Sequence, residues 1–114
     1  MVMVKVKEIN LEQGYPTVPH AMQNLVNGLS TARRTGCKAV VIVHGYGSTG
    51  TGGAIKTAVK SKLREPALRG LVKAVVAGED WFLKKKEFLD YCPQLRDFSR
   101  HVDGNRGITV VLLR

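Results

Sequence analysis

The residues best suited to chemistry form a glycine-rich loop from His44 to Gly53, with five glycines in ten positions. Part of the loop fits the pattern GxGxxG, and the loop lies between an apolar run and a basic segment. Backbone amides at the start of a helix bind phosphate groups, and glycine lets the anion approach closely. The loop residues predicted to contact phosphate are His44, Gly45, Tyr46, Gly47, Ser48, Thr49, Gly50, Gly52 and Gly53.

Two loop side chains have a chemistry of their own. At the end of a predicted strand, His44 could anchor the loop by hydrogen bonds, contact a phosphate, or transfer a proton near neutral pH. Tyr46 suits stacking on a base, or packing over the loop to hold it. The sequence leaves these alternatives open.

Two nucleotide-binding motifs share this glycine pattern, and the chain departs from both. The phosphate loop of nucleotide triphosphatases continues into Lys-Ser or Lys-Thr, which does not follow these glycines. In the dinucleotide-binding motif the glycines follow the first strand, and an acidic residue stands about twenty residues beyond them. Here the loop follows the second predicted strand and no acid stands at that spacing. A dinucleotide- or phosphate-binding domain is kept as an alternative.

The loop is positioned by a predicted β-α-β unit. Alternating valines predict a strand over residues 2–11, and apolar residues at helical spacing predict a helix over residues 17–36. The β-branched run at 39–43 is typical of a central strand or of one covered on both faces. Strand, helix and strand in this order favour a right-handed crossover.

A second predicted helix follows the loop and is basic on one face. Its apolar residues, within 55–63, form a stripe at helical spacing. Cations repeat every four residues on another face of the same helix, which would place them in one column. The cations predicted to contact phosphate are Lys56, Lys60 and Arg64.

The remaining elements complete the fold. Residues 71–77 and 107–113 are predicted strands, and residues 80–102 keep a roughly helical spacing that Pro93 divides. The order β-α-β-α-β-(α)-β predicts an α/β fold, a two-layer sandwich with a mixed four-stranded sheet. The 114 residues are predicted to form a single domain.

The charge balance is strongly basic. Eighteen Lys and Arg oppose nine Asp and Glu, for a net charge of +9. Such a surface favours a polyanionic partner, whereas cations spread along the chain are less typical of membrane binding. The run at 84–86, three lysines, either forms a solvated helix face or extends a phosphate-binding groove. Cys37 and Cys92 lack metal-ligand spacing, which predicts no metal site and favours a reducing, cytoplasmic location.

From its central strand into the loop the chain resembles the Smr (small MutS-related) domain family, whose loop reads His-Gly-x-Gly. The resemblance extends to Ala21-Met22 in the first helix and to Gly36 before the central strand. It also includes the closing Gly-Ile-Thr-Val at 107–110. Residues 80–103 look like a helical insertion within this plan.

The resemblance implies binding of DNA or RNA, since the family binds nucleic acid and several members nick or cleave it. In the family the first strand usually ends in Leu-Asp-x-His-Gly, whose Asp and His are implicated in cleavage. Here no register supplies that His: Glu12 could replace the Asp, and Gln13 could stand where the His would. Glutamine cannot act as a general base, so the resemblance implies binding with at most weak nicking by His44 and Glu12.

Three functions therefore remain. The leading one is a nucleic-acid-binding domain without a cofactor. The second is a nicking phosphodiesterase that uses Glu12, His44 and a water bound to Mg²⁺ or Mn²⁺. The third is an interaction module without a nucleic-acid role, whose inserted segment at 80–103 binds a protein partner or forms a dimer.

Overall fold

A computed structural model describes residues 5–14, 17–45 and 52–114. The predicted strand residues Val2 and Val4 lie outside this part of the chain. In the described part no helix is both long and apolar enough to cross a membrane. The elements are β1 (Val6–Asn10), α1 (Val18–Arg34), β2 (Ala39–Val43), α2 (Gly52–Lys62), β3 (Val72–Ala77), α3 (Trp81–Tyr91), α4 (Ser99–Val102) and β4 (Ile108–Leu113).

The four strands form one mixed sheet in the order β1-β2-β4-β3. β1 is parallel to β2, while β4 is antiparallel to both β2 and β3. The α/β class and the mixed four-stranded sheet are thus confirmed. Since β3 runs in the same direction as β1 and β2, the carboxyl ends of these three strands and the start of β4 meet at one edge.

The two central strands are buried on both faces. All six residues of β4 are buried, and so are the first four residues of β2. Alternate residues belong to two separate apolar clusters. α1 and α2 complete the first cluster, and the segment 81–102 completes the second. Strands that are apolar on both faces need another layer packed on each side. The 81–102 segment therefore forms a third layer, beside the sheet and the helical layer of the predicted two-layer sandwich.

The 81–102 segment is held by aromatic packing. Trp81 and Phe88 are fully buried, with ring centroids 5.8 Å apart in an edge-to-face arrangement. The Trp81 indole N–H donates to the Ser99 hydroxyl at 3.1 Å. Pro93 ends α3 and begins a 3₁₀ turn, as the sequence predicts. That the segment is an insertion relative to the family stays a prediction.

Candidate functional site

Four separate parts of the chain meet at the edge where β1, β2 and β3 end. The amides of His44 and Gly45 both donate to the Gly107 carbonyl, at 2.9 and 3.1 Å, which joins the end of β2 to the start of β4. Glu12, which follows β1, places its carboxylate against Gly45. Glu79 follows β3 and is influenced electrostatically by Arg106. The order of the strands in the sheet therefore brings these four parts of the chain together at the site.

His44 is fully buried and both of its ring nitrogens are occupied. Nδ1 lies 2.5 Å from the Gly45 carbonyl oxygen, and Nε2 lies 2.8 Å from the Thr109 hydroxyl. Because a carbonyl only accepts, the proton belongs on Nδ1, and the threonine hydroxyl donates to Nε2. Of the three roles open to His44, this geometry favours the anchoring of the loop.

Burial lowers the pKa of His44 below its ordinary value, because it penalises the imidazolium form. The hydrogen bond to Gly45 opposes this effect without reversing it, and the nearby charge of Lys56 adds to the lowering. His44 is therefore neutral at neutral pH. Its one lone pair is engaged by Thr109, so in this arrangement it is not available to accept a proton from a ligand.

Both the backbone conformation at position 45 and the nearby Glu12 side chain require a glycine there. Its φ is +72°, a conformation that side chains disfavour. A Cβ atom added to Gly45 would lie 2.8 Å from a carboxylate oxygen of Glu12. The turn that brings Glu12 to this point is fixed by the Asn10 side chain, which accepts a hydrogen bond from the Glu12 amide at 2.8 Å. The two predicted residues Glu12 and His44 thus flank the same glycine.

Lys56 is engaged by an acid that sequence reasoning did not assign to the site. Its ammonium donates to both carboxylate oxygens of Glu79, at 2.9 and 3.1 Å, and both side chains are partly buried. The hydrogen bond from Lys56 lowers the pKa of Glu79, and the charge of Arg106 adds to this. The signal in the sequence was that Glu79 follows directly after the third predicted strand. The structure adds that this strand is parallel to β2, so both strands end at the same edge.

The other two predicted cations of α2 remain exposed. Within the described residues, Lys60 and Arg64 form no salt bridge. Both line a groove of about 410 Å³ between α2, β3 and the start of α3, where Lys84 also lies. The column of cations thus divides into one ion-paired lysine near the edge of the sheet and two cations farther along the helix.

Part of the predicted loop lies outside the described residues, namely Tyr46, Gly47, Ser48, Thr49 and Gly50. Gly52 and Gly53 form the first turn of α2. The Gly53 carbonyl accepts a hydrogen bond from the Thr57 hydroxyl at 3.0 Å. The described glycines therefore belong to the start of the helix that carries the cations.

No group of three or more His, Cys, Asp or Glu side chains is placed to hold a metal ion in the described ranges. Cys37 and Cys92 are both buried, and burial raises the pKa of the Cys92 thiol. His20, six residues beyond the family's motif, lies exposed in the first turn of α1, where its amide donates to the Thr17 hydroxyl.

Comparisons with known proteins agree with this architecture. No curated protein matches the chain in sequence. The crystal structure of the Smr domain of Thermus thermophilus MutS2 superposes with a TM-score of 0.60 and 25% sequence identity, over 95% of this chain and 98% of that one. The family model for the Smr domain matches residues 13–114. The chain therefore belongs to the Smr domain family.

Proposed function

We propose that this Smr domain binds nucleic acid, DNA or RNA, along the edge where Gly45 turns and along the adjoining face of α2. The observation that carries the proposal is the pair of exposed, unpaired cations on that helix. Lys60 and Arg64 follow the ion-paired Lys56 in one column, and no described acid forms a salt bridge with either. A net charge of +9 supplies the long-range attraction to a phosphate backbone.

The geometry of this site favours the binding of nucleic acid over its cleavage. Hydrolysis needs an activated water, a group that stabilises charge and a proton donor for the leaving oxygen. The neutral His44 is buried and hydrogen-bonded through both nitrogens. Glu12 offers one carboxylate, and residues 9–14 contain no histidine where the family's motif has one. Cleavage is therefore proposed to be weak or absent.

Binding is tested by fluorescence anisotropy with a labelled duplex DNA and a labelled RNA hairpin. The logarithm of the affinity should fall with the logarithm of salt, with a slope of roughly 0.9 per neutralised phosphate on duplex DNA. Affinity that is flat between about 50 and 200 mM salt, or no binding to either probe, rejects the proposal.

Cleavage is tested on supercoiled plasmid and structured RNA, with and without Mg²⁺ or Mn²⁺. The variants are His44→Ala and Glu12→Gln, and the matched control is Glu8→Gln, which removes an exposed carboxylate from β1. Circular dichroism checks that each variant folds. Efficient multiple turnover by the wild type, abolished by His44→Ala or Glu12→Gln while binding persists, would show that the domain is an enzyme.

A further inference from the structure

The outer edge of β3 borders an apolar groove that the proposed function does not use in full. β3 is the last strand in the sheet order, and within the described residues it pairs with β4 alone. The groove lies between this strand, the end of α2 and the start of α3, with a volume of about 410 Å³. Such a groove between an edge strand and a helix has the shape of a site for an extended chain.

Exposed apolar side chains gather at this groove. Among the described residues the large apolar side chains that are exposed are Val75 (39%), Phe82 (68%) and Leu83 (66%). Val75 and Leu83 line the groove. Val75 pairs with Val111 in the sheet, so its side chain lies on the face covered by α1 and α2, at a point that the helices leave open. Local clustering of this kind marks an interaction surface.

The backbone of β3 offers a short regular edge. A register shift between Val72 and Ala74 interrupts the pairing with β4, and residues 74–77 then pair one to one. An edge strand of this kind presents alternate N–H and C=O groups outward, without a partner in the sheet. An added peptide strand would satisfy them by the same ladder that joins β3 to β4.

The rim of the groove is positively charged. Lys60, Arg64 and Lys84 line it, against one acid, Asp80. Lys84 has an acidic neighbour, Glu87, but the pair is long, at 3.7 Å, and exposed. An occupant with alternating acidic and apolar residues would match this rim and the apolar wall together.

We propose that the outer edge of β3 is a docking site for an extended acidic segment of a partner protein, which adds a fifth strand to the sheet. Its apolar side chains pack against Val75 and Leu83, and its acidic side chains lie near Lys60, Arg64 and Lys84. The partner segment would share Lys60 and Arg64 with the proposed binding of nucleic acid, whereas the edge of β3, Val75 and Leu83 would serve the partner alone.

Other occupants fit the groove less well. A second copy of this chain would bring the same three cations against the first set, and like charges across an interface oppose pairing. A nucleic acid would satisfy the cations, but it has no regular ladder of amides and carbonyls to pair with the edge of β3. The groove wall also offers aliphatic side chains rather than an aromatic ring, because the exposed Phe82 is not among its lining residues.

The test uses a fluorescein-labelled peptide that alternates glutamate and valine over about seven residues, the span of a short added strand. Its controls are the lysine–valine peptide and an N-methylated acidic peptide that cannot pair as a strand. The groove variant is Leu83→Glu. The matched variant is Lys85→Glu, in the same exposed part of α3 but outside the groove lining. It makes the net charge more negative than Leu83→Glu does, because it also removes a cation.

Of the three peptides, we expect only the unmodified acidic one to bind. Leu83→Glu should weaken its binding about tenfold or more, while Lys85→Glu should change it far less. Hydrogen exchange of amides within 74–77 should slow when the peptide is bound. Equal binding of the N-methylated peptide, no binding above the lysine–valine control, or unchanged exchange overturns the proposal.

Two further outcomes assign the groove to another occupant and also overturn the proposal. One is a short single-stranded oligothymidylate that slows the hydrogen exchange of the amides within 74–77 as the peptide should, which would place nucleic acid on the edge of β3 itself. The other is a concentration-dependent dimer that Val75→Lys disperses, detected by light scattering. Since the peptide assay contains no nucleic acid, its failure leaves the salt-dependent binding of nucleic acid standing, and the reverse also holds.

Discussion

Thr109 donates its hydroxyl proton to Nε2 of His44 over 2.8 Å, and so a side chain from β4 holds the ring at the end of β2. Both residues are buried. The fixed ring in turn restrains Gly45, because Nδ1 of His44 donates to the Gly45 carbonyl. The start of the glycine loop is therefore held in place by β4, the strand that lies beside β2.

Removing this hydroxyl should destabilise the domain. In Thr109→Val the acceptor Nε2 stays buried without a donor, and we expect a loss of about 1–3 kcal/mol in the free energy of unfolding. Thr109→Ser keeps the hydroxyl and removes one methyl group, for a smaller loss of about 0.8 kcal/mol. Urea unfolding of both variants checks the order. A valine variant as stable as the serine variant contradicts the assigned hydrogen bond.

The lowered pKa of His44 makes stability depend on pH in a defined window. The unfolded state takes up a proton near the ordinary value of about 6.5, whereas the folded state resists it until lower pH. The stabilisation is thus fully present above that value and is lost as pH falls toward the folded-state pKa. One proton gives a slope of up to about 1.4 kcal/mol per pH unit.

Urea unfolding at several pH values between about 7 and 5.5 measures this slope, above the range where the lowered pKa of Glu79 contributes. In His44→Gln the slope should shrink, although the other two histidines are retained. An undiminished slope in that variant would assign the proton uptake elsewhere.

Gly78, between β3 and Glu79, should not tolerate a side chain. A Cβ atom there would lie 2.1 Å from the Asn105 carbonyl oxygen and 2.7 Å from that of Val102. Both are backbone atoms, so the turn before β4 must move, and we expect Gly78→Ala to cost about 3 kcal/mol. Gly70→Ala is the matched control, since nothing lies within 4 Å of its added Cβ. Thermal unfolding should separate the two variants clearly, and equal melting temperatures would contradict this packing.

Charge reversal on α2 should weaken the binding of nucleic acid without unfolding the domain. Lys60→Glu with Arg64→Glu alters exposed side chains that form no salt bridge in the described part of the chain, whereas Lys56→Glu would set a second carboxylate against Glu79. If each cation neutralises one phosphate, the salt slope on duplex DNA should fall by roughly 0.9 for each.

The control for this experiment is Arg96→Glu with Arg100→Glu, which changes net charge equally in the segment that covers the opposite face of the sheet. Anisotropy titrations should show a loss in the α2 variant that greatly exceeds the loss in the control. Equal losses would mean that total charge, rather than the face of α2, determines binding.

The sequence predicted the elements whose patterns are local. Regular spacing predicted α1, and in the structure Thr17 caps this helix, with its hydroxyl accepting from the His20 amide. The β-branched run predicted β2 and its burial. Gly28 lies inside α1 and makes room for Ile9, whose side chain would lie 2.4 Å from an added Cβ. The spacing of apolar residues along a helix does not predict this contact with another element.

The site depended on strand order, which no local pattern encodes. Thr109 and His44 meet because β4 lies beside β2, although 65 positions separate them in the chain. Lys56 reaches Glu79 because the end of β3 lies at the same edge. The prediction that Lys56 is a phosphate contact stays untested, but its ion pair means that a ligand would have to compete with a carboxylate.

The central place of β4 also affects how the domain can be made. Translation delivers β1, β2 and β3 first, while the strand that separates β2 from β3 emerges after them. Until residues 108–113 arrive, β2 and β3 each have an open side with no β4 to pair, and the apolar residues that β4 covers stay accessible to other chains. Nascent chains stalled before this strand should therefore be aggregation-prone and should associate with chaperones, whereas release of the last strand should end that association.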